Sequence, residues 1–195
     1  MLQTSKGILS FLITANARMN HYRTISSLIA FVAVVPFLVP AMSHMTIDPE
    51  MAPPDSSATF YLKISHDCGD ATTGTSNFTV IPPPGLLNVK SEQVEGWRVE
   101  FEIEELDPPI VRGTRTYNET VTRISYLGFL PDRMWRKFGM SAITPKDEGL
   151  LYFEGYQDCH GEEDDIAWTA IPTEADPDPK RPAAVLNITM AAEEE

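Results

Sequence analysis

The segment Trp97-Arg98-Val99-Glu100-Phe101-Glu102-Ile103 alternates between apolar and charged positions. A period of two marks a strand with one buried and one wet face, because successive side chains of extended backbone point to opposite sides. Short β-rich runs recur along the chain: Thr59–Ile64, Asn77–Ile81, Leu86–Lys90, Phe138–Ile143, Leu150–Tyr156, Ile166–Ile171 and Val185–Thr189. Pro82-Pro83-Pro84-Gly85 separates two of them. Arg112–Thr116 and Thr120–Tyr126 flank Tyr117-Asn118-Glu119, which reads as a hairpin turn. Pro131–Lys137 reads as one short helical turn, and Thr173–Pro182 as a loop. Sixteen prolines and eleven glycines punctuate these runs. The pattern predicts an all-β fold, an antiparallel β-sandwich. No internal repeat is evident.

The first 43 residues follow another pattern. Arg18 and Arg23 precede an apolar run from Leu28 to Pro40, and Ala41-Met42-Ser43 follows. A positive region, a short apolar region and small residues at the −3 and −1 sites are the order of a signal peptide. The apolar run is about 13 residues and contains Pro36, too short for a comfortable transmembrane helix. Ile8–Ile13 is shorter still. Met19 offers an alternative start, with 1–18 an extension ahead of it. The expected organisation is a leader over 1–43, one sandwich domain over 44–190 and a frayed acidic tail over 191–195. The mature protein is expected to be periplasmic or extracellular, with no membrane span.

Lys6, Arg18 and Arg23 fall in the leader and no acid does. Of 15 bases, 12 therefore remain against 28 acids, a formal charge of −16. Such a chain repels nucleic acid and anionic lipid, and neither is expected as a partner. It attracts cations diffusely. The mature length suits one domain with a real core.

Cleavage after Ser43 makes His44 the first residue. An N-terminal histidine chelates a metal through its own amine and its Nδ1 in one ring, which no internal histidine can do. The alternative is that His44 is only the residue at the cut. Two cysteines, Cys68 and Cys159, in an oxidising compartment are most simply one disulfide. The rival is a Cys/His metal site, since His66 and His160 sit beside them; thiolates there would favour Cu(I) or zinc.

Other features have plain explanations. Three glycosylation sequons, at Asn77, Asn118 and Asn187, matter only in a eukaryotic secretory pathway. Glu162-Glu163-Asp164-Asp165 lacks the ligand spacing and glycine of a calcium loop and reads as a solvated turn. Trp97 and Trp135 read as core or rim aromatics. There is no Gly-rich phosphate loop, and no GxSxG or other support for hydrolase chemistry.

The run Ser43-His44-Met45-Thr46-Ile47-Asp48-Pro49 resembles the mature start of the YcnI-like family, also called the DUF1775 domain. The resemblance continues through His66-Asp67-Cys68, Gly96-Trp97, Ile124-Ser125-Tyr126, Leu130-Pro131-Asp132, Phe138, Gly149–Phe153, Gln157-Asp158-Cys159, Trp168 and Ile171-Pro172. It covers nearly all of the mature chain. It implies an exported copper-binding domain, a cupredoxin-like or immunoglobulin-like sandwich that acts in copper handling. It implies Cu(II) held by a brace from a single N-terminal histidine, with an acidic residue and a nearby tryptophan. Position by position, His44 matches the brace histidine and Trp168 the tryptophan. The acid corresponds to Asp67, with Asp70 next in line; some relatives carry His-Gly-Cys where this chain has His66-Asp67-Cys68, which leaves His66 a competitor. Met45 and Ser43 stand where valine and alanine are usual. The family's second cysteine matches Cys159, which implies the Cys68–Cys159 bridge.

Cu(II) suits tetragonal nitrogen and oxygen donors. The expected function is that of a copper chaperone or buffer, with copper-transport or copper-receiving proteins as partners and no catalytic residue. Two other classes stay open: a metal-free interaction sandwich, and a copper-dependent oxidative enzyme if His66 completes a second histidine arm.

Overall fold

Phe60, Leu62 and Ile64 are buried while Thr59, Tyr61 and Lys63 are more exposed, so the segment Ser57–Ile64 is a strand with one dry face. The computed structural model describes residues 44–65, 68, 74–160 and 165–190. The elements there are β1 (Thr46–Asp48), β2 (Met51–Ala52), β3 (Ser57–Ile64), β4 (Gly74–Ile81), β5 (Leu87–Ser91), β6 (Arg98–Arg112), β7 (Arg115–Pro131), β8 (Arg136–Ile143), β9 (Gly149–Cys159), β10 (Ile166–Trp168) and β11 (Ala184–Ile188).

The strands form two sheets. One has four strands in the order β1-β3-β8-β5. The other has seven, in the order β2-β11-β9-β4-β7-β6, with β10 also paired to β9. The chain changes sheet at once near its start. β1 pairs antiparallel with β3, and β2 runs parallel to β11 in the other sheet. Asp48-Pro49-Glu50 makes that crossing, with a cis Asp48–Pro49 bond.

The core lies between the inner faces. Phe60 meets Phe153 across it, ring centroids 5.1 Å apart. Phe138 of β8 is the centre of a second cluster, at 4.9 Å from Phe78, 4.5 Å from Tyr126 and 5.2 Å from Trp97. Leu62, Ile64, Val80, Ile124, Leu186 and Ile188 fill the remainder. Ring contacts of this kind add to the burial of large apolar area that holds a sandwich closed.

Two sequence expectations are corrected. Tyr117-Asn118-Glu119 is not a turn: β7 runs through it without a break. The hairpin turns instead at Gly113-Thr114, between Arg112 and Arg115, which face each other. Gly113 has φ +60°, the conformation a two-residue turn requires at its first position and glycine adopts without steric cost. Nor is Pro131–Lys137 helical. Asp132-Arg133 is a tight turn, with Arg133 at φ +61°, and β8 begins at Arg136. One turn of helix gains a single hydrogen bond for three fixed residues, and here β7 runs on to Pro131 while β8 starts at Arg136 in the other sheet. Thr173–Pro182 is a loop, as expected. Residues 1–43, 66–67, 69–73, 161–164 and 191–195 lie outside the described residues, and with them the expected leader, His66, Asp67, Asp70 and the expected tail.

Candidate metal centre

His44 stands one residue before the buried Met45, which leads into β1. Thr46 pairs with Lys63, so the chain from Thr46 back to His44 continues past the C-terminal end of β3. On the other sheet, β10 pairs with β9 so that Trp168 lies opposite Gly155. Gly155 is where the sheets come together at this end. A side chain there would overlap Met45 Sδ and approach Phe78 Cε2 at 3.2 Å. The missing side chain of Gly155 is thus the space Met45 occupies. By seating Met45, it brings the preceding residue against Trp168.

The imidazole of His44 and the indole of Trp168 meet edge to face, centroids 6.5 Å apart and planes at 64°. Trp168 is fully buried. His44 is half-buried, and its Nε2 is enclosed with no hydrogen-bond partner among the described residues. A buried polar nitrogen left unpaired costs roughly 1–3 kcal/mol. A chelate with an N-terminal amine would use Nδ1 and not the enclosed Nε2, on an imidazole held at the edge of the core beside a rigid aromatic wall. A chelate through the amine and Nδ1 forms only once the bond to Ser43 is cut.

Behind Trp168 runs a buried polar chain. Trp168 Nε1 donates to Gln157 Oε1 at 3.4 Å, and Gln157 Nε2 donates to Thr75 Oγ1 at 2.7 Å. Gln157 Nε2 also lies 3.5 Å from Cys68 Sγ. Gln157, Thr75 and Cys68 are all buried. Sequence reasoning missed Gln157, Met45 and Gly155 as members of this region. The signal for Gln157 was available: Phe153, Gly155 and Gln157 alternate toward the core along β9, and an amide at a core-facing position needs partners.

Cys68 and Cys159 are bonded, with Cα atoms 5.4 Å apart and 91 residues between them in sequence. This removes the Cys/His alternative, because no free cysteine remains. A bridge closing so long a loop stabilises a fold by about 2–5 kcal/mol. It ties the end of β9 to Cys68, in the connection between β3 and β4. His160, beside Cys159, turns its ring to Phe129, centroids 6.0 Å apart. Among the described residues, no group of three or more His, Cys, Asp or Glu side chains is gathered. The expected partners of His44 thus lie outside the described residues, while Trp168 is beside it. The two other tryptophans divide: Trp97 packs partly buried against the core, and Trp135 is 60% exposed with Lys63 Nζ 5.3 Å above its ring. No helix among the described residues is long and apolar enough to cross a membrane.

A family model described as "Domain of unknown function (DUF1775)" matches residues 44–188. No curated protein matches the sequence. A solved structure of an uncharacterized protein from Nocardia farcinica, described as having an immunoglobulin-like fold, superposes with a TM-score of 0.58 at 18% identity. That match covers 75% of this chain and 99% of the other, and it shows the fold. A "Putative membrane anchored protein" from Corynebacterium diphtheriae gives a TM-score of 0.39 at 10% identity, over 78% of this chain and 36% of that one.

Proposed function

The chain belongs to the DUF1775 family, and we propose that it is an exported copper-binding protein that holds Cu(II) through the amine and Nδ1 of His44 once the leader is removed. The observation that carries this reading is the position of His44. The family match begins at this residue, the leader pattern ends just before it, and its imidazole lies against buried Trp168. The bridge between Cys68 and Cys159 suits an oxidising compartment, which supports export.

His44 supplies two nitrogens, and a carboxylate or imidazole from the segment after β3 supplies a third donor. Asp67 takes that role in this reading, with His66 and then Asp70 as the competing donors. Trp168 walls the metal and limits water on that side. Cu(II) outcompetes other divalent first-row ions at such donors. The amine must lose its proton to bind, so affinity falls in acid. The role is carriage or buffering of copper, in exchange with copper-transport proteins, with no turnover of a substrate.

Mass spectrometry of the exported protein tests the premise: it is expected to begin at His44, and any other N-terminus abolishes the brace. Paired variants then assign the third donor. Asp67→Asn is expected to weaken copper binding at least tenfold, with His66→Ala nearly neutral. The reverse outcome would transfer the role to His66, and a null result for both would direct attention to Asp70.

A further inference from the structure

The two sheets differ in width, and the difference leaves one strand half covered. β6 ends the seven-stranded sheet, and among the described strands β7 is its only partner. The register sets Val99, Phe101 and Ile103 on the inner face, opposite Tyr126, Ile124 and Val121. Tyr126 and Ile124 are core, yet Phe101 and Ile103 are 43% and 54% exposed. The four-stranded sheet stops at β5. A hollow of about 300 Å³ lies between Asn88-Val89 near that edge and residues 116–121 of β7. The apolar face of β6 therefore extends past the sheet meant to cover it.

A free strand edge presents a row of backbone N–H and C=O groups and is a template for pairing with another chain. The side chains decide which chain. Between Arg98 and Asp107, β6 carries Glu100, Glu102, Glu104, Glu105 and Asp107 against one base. Glu100 and Glu102 form ion pairs with Arg98 and Arg123, at 3.1 Å and 3.3 Å, but both pairs are largely solvent-exposed and hold little energy. Glu105 faces Glu119 directly across the ladder, a like-charge pair that opposes pairing. A second copy of this chain would bring its own acidic row against this one, in either orientation, so self-pairing is disfavoured. Pro108-Pro109 has no N–H to give and ends the usable edge.

We propose that the edge of β6 over Arg98–Asp107 takes up an extended basic segment of another protein. The added strand lays alternate apolar side chains beside Phe101 and Ile103. Its lysines or arginines face Glu100, Glu102 and Glu104. Backbone pairing supplies the docking, and the charge row selects the partner. This inference is independent of the copper reading, because β6 contributes nothing to the His44 region.

The test uses the exported protein and the amidated peptide Lys-Val-Lys-Val-Lys-Val-Lys, with a Glu-for-Lys peptide as control. Amide hydrogen exchange by NMR is expected to show protection within residues 98–107 on adding the basic peptide, and none with the acidic one. The double variant Glu102→Lys, Glu104→Lys is expected to lose affinity for the basic peptide at least tenfold. A basic peptide N-methylated at alternate residues, on its pairing edge, is expected to lose binding with every side chain kept, and this arm leaves the protein unaltered. Absence of binding, protection at another edge, or undiminished binding of the N-methylated peptide would overturn the proposal.

Discussion

His44 and Trp168 stand edge to face, ring centroids 6.5 Å apart, although 124 positions separate them in sequence. Neither residue sets this contact alone. Met45, next to His44 in the chain, fills the space left by Gly155. Gln157 receives the indole N–H, which fixes Trp168. The indole and the imidazole are thus each held by a buried neighbour, the arrangement the proposed site requires.

Gly155→Ala tests the first of these supports. The new methyl meets Met45 Sδ in a filled core, and overpacking of this kind costs about 1–3 kcal/mol. In the Met45→Ala background the space is free, so the same substitution is expected to cost less. Urea unfolding of the four proteins of the cycle measures this, and additive losses would show that Met45 does not occupy the Gly155 space.

Gln157→Leu tests the second. The change takes the acceptor from Trp168 and the donor from Thr75 at a fully buried position. The expected loss is about 1–3 kcal/mol of stability, together with a shift of tryptophan emission that Trp168→Phe removes. Stability and emission equal to the parent would mean the polar chain contributes nothing.

The outline of the sandwich was legible because its strands alternate. Thr59–Ile64 declared both its type and its buried face, whereas Trp97–Ile103 declared its type only: Phe101 and Ile103, on its apolar face, are exposed because the four-stranded sheet ends before covering them. The hairpin was misread because Asn118 is a residue that turns favour, whereas the actual turn needs only Gly113 at a positive φ. The length of β6 was hidden by Pro108-Pro109, which a strand tolerates at a sheet edge and not in its middle. β1 and β2 are too short to carry a period at all. The nearness of His44 to Trp168 and the Cys68–Cys159 bond agree with what the motif order implied. Met45 in the hollow of Gly155 was not readable, because close approach between strands distant in sequence leaves no local pattern.

Tyr126 gives a prediction about alkaline stability. Burial raises its hydroxyl to about 12, well above the ordinary 10, while the hydrogen bond received from Ser91 acts the other way and the charge of Glu92 adds to the rise. The unfolded chain loses this proton near pH 10 and the folded one holds it, so the folded state binds more protons between the two values. Stability from this group is therefore complete below pH 10 and is lost as pH climbs toward 12, by roughly 2–3 kcal/mol. Unfolding free energies measured from pH 9 to 12 are expected to fall more steeply in the parent than in Tyr126→Phe. Equal slopes would contradict the assignment.

The central claim rests on His44 as an N-terminal copper ligand. Titration of the cleaved protein with Cu(II), followed by electron paramagnetic resonance, measures it directly. One Cu(II) per chain is expected, with nitrogen hyperfine coupling that disappears, along with tight binding, in His44→Ala. Equal affinity and an unchanged spectrum in His44→Ala would contradict the brace.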